Sequence, residues 1–163
     1  MNALRCLLDT PRLCIWYDPV NDWLYNQWLG YHDDVSVLAC TQAISACLRA
    51  QPCPKILSDH SQLSGNWLVA SPFVGQQGLA QLATQGVTYF AWVYSPCYAD
   101  RLAMEQALSY SLAPIVNIFD NLADAYEWLQ RFPGQRSRVE AGTACASPNT
   151  SPPSQADHPA LFS

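Results

Sequence analysis

Residues 89–96 read Tyr-Phe-Ala-Trp-Val-Tyr-Ser-Pro, and this stretch decides the fold. The run from Tyr89 to Tyr94 is aromatic and β-branched, without the polar alternation of a strand that faces water on one side. The turn formers Gln85-Gly86 precede the run, and Ser95-Pro96 follow it. A strand that is apolar on both faces belongs in a sheet that is covered on both faces. The stretch therefore predicts an α/β domain.

The size and composition of the chain fit one compact domain with few surface charges. Its 163 residues are enough for one core and too few for two ordinary domains. Charged residues make up 13% of the chain, the net charge is -5, and Lys55 is the single lysine. The chain thus lacks the basic patch that attracts nucleic acid or an anionic membrane. The composition predicts no nucleic-acid partner.

The sequence shows neither a membrane span nor a full secretory signal. No apolar run approaches the roughly 20 residues that cross a bilayer, and Asp9 interrupts the first apolar run early. We therefore expect no transmembrane segment and a cytoplasmic location. The 7 cysteines form an odd set without a Cys-x-x-Cys pair, which favours reduced thiols over a disulfide scaffold.

Apolar periodicity and turn formers divide the chain into alternating strands and helices. Short β-rich runs at 13–17 and 23–29 flank a cluster of turn formers and predict a β-hairpin. Helical patterns cover 34–51, 71–85, 98–110 and 121–132, and further strands cover 55–58, 89–94 and 115–119. Right-handed crossovers would make the later strands parallel. The prediction is a five-stranded mixed sheet, a β-hairpin then βαβ crossovers, with about four helices.

The domain boundaries follow from changes in composition. We interpret residues 1–11 as an N-terminal extension and residues 12–132 as the α/β domain. From 133 to 163 the chain is rich in Pro, Ser, Thr, Ala and Gly and has no apolar periodicity. Such a segment buries too little surface to offset the entropy lost on ordering. The sequence predicts a disordered Pro/Ser-rich tail over 133–163.

Unusual polar residues fall at the carboxyl ends of the predicted parallel strands, where open α/β sheets bind ligands. One interpretation is a metal site, because a mixed set of nitrogen and oxygen donors suits zinc. The set consists of His32, Asp33, Asp59 and His60. Its spacing matches no compact motif, and a helix-capping role explains Asp33 or Asp34. We predict neither a metal nor a cofactor.

An enzyme is a further alternative at this edge. Cys97 begins a predicted helix, where the dipole lowers a thiol pKa, and His60 could act as its base. The sequence contains no nucleophile elbow, phosphate loop or glycine-rich dinucleotide turn. An ordinary first-turn residue after Pro96 explains Cys97 more simply. We therefore predict a non-enzymatic protein.

Trp67 is a candidate of another kind. It follows Ser64-Gly65-Asn66, at the end of a predicted polar loop over 59–66 and close to the start of a helix. An aromatic side chain at such a place can cover a pocket, although loop aromatics commonly pack inward. Both possibilities stay open at the level of sequence.

Three stretches of the chain resemble a known family. They are Asp59-His60-Ser61-Gln62-Leu63-Ser64-Gly65-Asn66-Trp67, the strand at 89–96, and the ending Phe119-Asp-Asn-Leu-Ala-Asp-Ala-Tyr-Glu-Trp-Leu129. They are similar to uncharacterised bacterial proteins of the STAS-like superfamily, which includes anti-sigma-factor antagonists and resembles the lipid-binding CRAL-TRIO fold. The resemblance covers about residues 12–132 and implies a STAS-like fold.

The resemblance also implies how the protein would act. Antagonists of this group bind a regulatory protein through the loop and helix after the third strand, and they are switched by phosphorylation of a serine. That serine lies in an Asp-Ser-Ser-Gly-like motif. The comparable stretch here is Gln62-Leu63-Ser64-Gly65, which keeps the Ser-Gly pair without a preceding aspartate. Ser64 is therefore the candidate phosphosite.

We predict a non-enzymatic STAS-like interaction module that binds a protein partner. A carrier or sensor of a small apolar ligand or lipid is the alternative, and the oligomeric state stays open. The candidate binding residues are Asp59, His60, Ser61, Ser64, Asn66, Trp67, Ser95 and Tyr98. A packed interior beneath Trp67 and Trp92 would favour a protein partner, whereas an enclosed apolar pocket would favour a ligand.

Overall fold

The structure is a computed structural model that describes residues 3–134. The strands are β1 (Arg5–Asp9), β2 (Leu13–Asp18), β3 (Trp23–Asp33), β4 (Lys55–Asn66), β5 (Tyr89–Val93) and β6 (Ile115–Phe119). The helices are α1 (Asp34–Ala50), α2 in three consecutive segments (Ser71–Phe73, Val74–Leu79 and Ala80–Thr84), α3 (Tyr98–Ser109) and α4 (Leu122–Gln130). None of these helices is both long and apolar enough to cross a bilayer. Apart from its first two residues, the predicted tail lies outside the described residues.

The six strands form one mixed sheet in which spatial order equals sequence order. β1, β2 and β3 pair antiparallel, and β3 to β6 pair parallel. The crossover helices α1, α2 and α3 pack on one face of the sheet, and α4 packs on the other. The predicted fold class, a β-hairpin followed by βαβ crossovers with about four helices, is confirmed.

Strand β5 is buried on both faces, as its sequence predicts. Phe90 and Trp92 join the larger core under α1, α2 and α3. Ala91 and Val93 join the smaller core under α4. Each of the four side chains is buried. The aromatic and β-branched run thus supplies both cores at once.

Strand β1 lies where the sequence predicted an N-terminal extension. It pairs with β2 from Arg5↔Tyr17 to Asp9↔Cys14. Its leucines pack against the larger core. A five-residue segment with a charged residue at each end gives only a weak β-strand pattern in the sequence. Pairing with β2 stabilises the strand. The predicted count of five strands was therefore one short.

The stretch at 59–66 is the second half of β4, and the prediction of a polar loop was wrong. Strand β3 continues to Asp33 and pairs in parallel with β4 as far as Asp33↔Asn66, after a register shift between Gln27 and Leu29. The backbone groups of this polar stretch therefore bond across to β3. Leu63 anchors the stretch in the larger core. Pairing between segments far apart in the chain outweighed the local polar pattern.

Two glycines mark the places where α2 meets its neighbours. A Cβ atom at Gly75 would lie 2.0 Å from the carbonyl oxygen of Ala107 in α3. A Cβ atom at Gly78 would lie 3.1 Å from Cγ2 of Thr41 in α1. Both glycines fall in the middle segment of α2, which has π-helical geometry. The residues that weaken the helical pattern thus permit close helix packing.

We expect Gly65→Ala to lower the free energy of unfolding by about 3 kcal/mol. Gly65 has φ of +129°, and a Cβ atom there would lie 1.9 Å from the backbone oxygen of His32, so β3 and β4 would have to shift apart. Gly30→Ala is the matched control, because Gly30 has φ of +72° with open space around it. That change should cost about 1 kcal/mol. Urea unfolding measures both losses, and equal values would contradict the close approach.

Candidate functional site

The predicted site residues lie at the carboxyl ends of β4 and β5 and at the start of α3, in two layers. Four are exposed, namely Ser61, Ser64, Asn66 and Tyr98. Four are buried, namely Asp59, His60, Trp67 and Ser95. The outer layer faces solvent. The inner layer holds the edge from beneath.

A buried hydrogen-bond network joins β4, β5 and α3. Asp100, in the first turn of α3, is 0% exposed. The indole Nε1–H of Trp67 donates to Oδ1 of Asp100, and Nδ1 of His60 lies 3.4 Å from Oδ2. The indole Nε1–H of Trp92 donates to Nε2 of His60 over 2.9 Å. The network therefore clamps the end of β4 to α3 on one side and to β5 on the other.

The partners of His60 fix its tautomer. An indole nitrogen can only donate, so Nε2 of His60 accepts from Trp92 and carries no proton. Nδ1 then carries the ring proton and donates to the carboxylate of Asp100. The carboxylate thus receives two donors, and the positive end of the α3 dipole adds to its stabilisation. This assignment satisfies each nitrogen of the network.

A small cavity lies beneath the network, between the sheet, α1 and α2. Its wall includes the rings of Trp28, Trp67, Trp92 and His60. Its volume is about 30 Å³. That space holds about one or two water molecules, whereas pockets for drug-sized ligands begin at roughly 300 Å³. The interior beneath Trp67 and Trp92 is therefore packed.

Asp59 and Ser95 have partners within the sheet. Oδ1 of Asp59 accepts from the backbone N–H of Ser61 at 2.9 Å, and Oδ2 accepts from the hydroxyl of Tyr25 at 3.0 Å. Burial, and then the neighbouring Asp59 carboxylate, raises the pKa of Tyr25. The Ser95 hydroxyl donates to the carbonyl of Leu63 at 2.8 Å. These hydrogen bonds fix the positions of the Asp59 and Ser95 side chains beneath the exposed residues of the edge.

Exposed apolar side chains come from the helix starts at the same edge and from the loop between β4 and α2. They are Val35 (77% exposed), Val69 (84%), Phe73 (42%), Tyr98 (77%) and Leu102 (40%). We call these five residues the edge surface. They are five of the thirteen exposed large apolar side chains within residues 3–134.

Hydrogen bonds tie together the segments that carry the edge surface. The backbone N–H of Ala70 donates to Oδ1 of Asp34 over 2.7 Å, which holds the loop before α2 against the start of α1. The hydroxyl of Ser71 donates to Oε1 of Gln106 over 2.6 Å, which holds the start of α2 against α3. The exposed apolar residues therefore stand on three helix starts that are fixed to one another.

The two groups of the enzyme alternative do not meet. The pKa of Cys97 is lowered, first because the backbone N–H of Asp100 donates to its sulfur. The thiol lies 3.4 Å from the carbonyl oxygen of Gly65. His60 engages both ring nitrogens with Asp100 and Trp92, so it offers no lone pair to Cys97. The cysteines within residues 3–134 are all free thiols, as the sequence predicts.

The four residues of the metal alternative do not assemble into a site. Asp33 caps α1 by accepting from the backbone N–H of Ser36 at 2.8 Å. Nε2 of His32 lies 3.2 Å from the carbonyl oxygens of Arg12 and Leu29, and burial lowers the pKa of this histidine. Within residues 3–134, no group of three or more His, Cys, Asp or Glu side chains is placed to hold a metal ion.

Sequence reasoning missed Asp100 and most of the edge surface. An acidic residue in the first turn of a helix has an ordinary explanation in the helix dipole, so Asp100 gave no distinct signal. Val69 and Phe73 lie in apolar stretches that fit a core equally well. Their exposure depends on how α2 docks against α1 and α3. Tyr98 is the one residue of the edge surface that the sequence singled out.

Comparison with known proteins finds likenesses to solved structures. No family model matches the sequence, and no curated protein matches it. The anti-sigma factor antagonist SpoIIAA in its unphosphorylated form is similar over 80% of this chain and 99% of its own, with 13% identity and a TM-score of 0.49. An uncharacterized DUF3478 protein with a SpoIIAA-like fold, from Shewanella loihica PV-4, covers 79% of this chain and 97% of its own, with 18% identity and a TM-score of 0.48. Both likenesses concern the fold alone.

Asp100→Ala should lower the free energy of unfolding by about 3 kcal/mol, because it leaves two buried donors, Trp67 and His60, without their acceptor. The control is Asp120→Ala, which removes an 82% exposed carboxylate that faces Arg101 at 3.7 Å. That change should stay within about 0.5 kcal/mol. Denaturant titration followed by tryptophan fluorescence gives both numbers. A neutral Asp100→Ala would refute the clamp.

Proposed function

We propose that this protein is a non-enzymatic STAS-like interaction module whose edge surface binds a regulatory protein partner. One observation carries the proposal. The interior beneath Trp67 and Trp92 is packed around a cavity of about 30 Å³, whereas the outside of the same edge exposes five apolar side chains. A protein partner can cover exposed side chains without an internal pocket.

The chemistry of the edge surface suits a protein contact. Tyr98 and Phe73 supply aromatic anchors, and aromatic residues are enriched at the centres of protein interfaces. Val69, at 84% exposure, projects from the loop between β4 and α2. Ser61, Ser64 and Asn66 add exposed hydrogen-bonding groups from β4. An apolar centre beside a polar rim is the usual arrangement of such interfaces.

The loop that carries Val69 is held before any partner arrives. Its first residue, Trp67, is 1% exposed and donates to Asp100. The backbone N–H of Leu68 donates to Oδ1 of Asn66 at 3.1 Å, and that of Ala70 donates to Asp34 at 2.7 Å. A loop fixed at both ends loses little conformational entropy on binding. The surface is therefore ready to bind without rearrangement.

Ser64 supplies a means of control within this proposal. Its side chain is exposed, and it stands opposite Tyr31 in the register of β3 and β4. A phosphate would place about two negative charges on β4, close to the edge surface. A desolvated apolar contact would then be weakened, so phosphorylation of Ser64 would release the partner.

The apolar-ligand alternative leads to a different observable. A lipid or similar molecule would have to enlarge the cavity by displacing α2, which packs over it. Native mass spectrometry of the intact protein should show the bare chain if the interior stays packed. A retained apolar molecule would instead support the carrier or sensor function.

Val69→Asp should weaken binding of the partner at least about tenfold, since it places a charge in the apolar contact. Val20→Asp is the matched control, because Val20 is also an exposed valine (68%) and lies away from the edge surface, in the turn between β2 and β3. The full chain is immobilised, proteins captured from a lysate of the source organism are identified, and the affinity of the purified partner is measured.

The comparison of the two valine variants decides the outcome. A partner that is kept by Val20→Asp and lost by Val69→Asp supports the edge surface. Equal affinity of both variants would remove this surface from consideration. Circular dichroism of each variant shows whether the fold is intact, because both valines lie at the surface.

A further inference from the structure

We propose that β6 pairs antiparallel with β6 of a second copy of this chain, so that two six-stranded sheets join into one. Strand β6 is the last strand in the sheet order, and among residues 3–134 no strand pairs with its outer side. Helix α4 packs mainly on β5 and β4. Within the described part of the chain, the outer side of β6 is therefore an open edge.

The hydrogen bonds of β6 show which backbone groups point outward. The N–H of Ile115 donates to the carbonyl of Thr88 at 2.9 Å, and the carbonyl of Phe119 accepts from the N–H of Tyr94 at 2.9 Å. In a parallel pair, alternate residues direct both groups to the same neighbour. Residues 115, 117 and 119 therefore face β5, and Val116 and Ile118 present their N–H and C=O groups outward.

Strand β6 lacks two of the features that protect edges in other sheets, namely charged residues and bulges. Its sequence, Ile-Val-Asn-Ile-Phe, contains no charged residue, and its pairing with β5 has no register shift. The opposite edge strand, β1, begins with Arg5, ends with Asp9, and has a register shift between Cys6 and Leu8. Charged ends and bulges discourage pairing with other chains, so β1 is protected at its edge by features that β6 does not have. The chain protects β1 and leaves β6 available.

The strand is complementary to itself about Asn117. In an antiparallel pair centred on that residue, Ile115 lies opposite Phe119 of the second copy, and Val116 lies opposite Ile118. Val116 and Ile118 are the residues with outward backbone groups, so the two copies can exchange four backbone hydrogen bonds. The side chains of Asn117 meet at the two-fold axis, where amides can bond to each other. A single two-fold axis thus pairs the apolar side chains of the two strands, which is the pattern of an isologous contact.

The test measures the mass of the full chain in solution by sedimentation equilibrium over a range of concentrations. Wild-type protein should reach the dimer mass. Asn117→Lys and Asn117→Asp each place like charges opposite one another at the axis, and each should raise the dimer dissociation constant at least about tenfold. Asn117 is exposed, so neither change disturbs the core. An equimolar mixture of the two variants should recover the dimer, since opposite charges then meet.

Gln62→Lys is the matched control, because it adds the same charge at an exposed position of β4 and should leave the dimer unchanged. A wild-type chain that stays monomeric at the highest concentration would overturn the proposal. Dimerisation that survives Asn117→Lys, or a mixture that fails to recover it, would do the same. These results do not depend on Val69 or on the regulatory partner, so the β6 contact can fail while the proposed function stands.

Discussion

The buried carboxylate of Asp100 is the contact on which the edge of this domain depends. A carboxyl group that is 0% exposed is costly unless donors surround it. Here the donors come from Trp67, just after β4, and from His60 within β4. Helix α3 can therefore dock only where both donors meet its first turn. The indole N–H of Trp92 donates to His60, which extends the hydrogen-bond network to β5 and fixes the position of α3 relative to the sheet.

This interior arrangement determines what the outside of the edge presents. Because Trp67 turns inward to reach Asp100, the next residues pass over the edge, and Val69 is left exposed. Gly75 lets α2 approach the backbone of α3 closely, which brings Phe73 to the same edge as Tyr98. The polar groups are thus satisfied beneath, and apolar side chains face water above. This arrangement reverses the usual one, in which exposed side chains are polar and the interior is apolar.

The sequence revealed those parts of the fold whose signals are local. Strand β5 follows from its apolar run, and the start of α4 follows from Asn121, whose side chain accepts from the N–H of Asp124. The stretch at 59–66 misled, because its polar residues resemble a loop and its pairing partner in β3 lies about thirty residues earlier in the chain. Trp67 could be placed near the site, but its burial depends on Asp100 in a distant helix. Exposure of Val69 likewise depends on tertiary packing, which no single segment encodes.

The proton positions on the ring of His60 provide the most direct test of this account. Nitrogen-15 NMR of the histidine-labelled protein at neutral pH, with His60→Gln to assign the signal, distinguishes the two tautomers and the charged ring. We predict a proton on Nδ1, facing Asp100, and an unprotonated Nε2 that accepts from Trp92. A proton on Nε2, with or without one on Nδ1, would contradict the network and the fixed edge that rests on it.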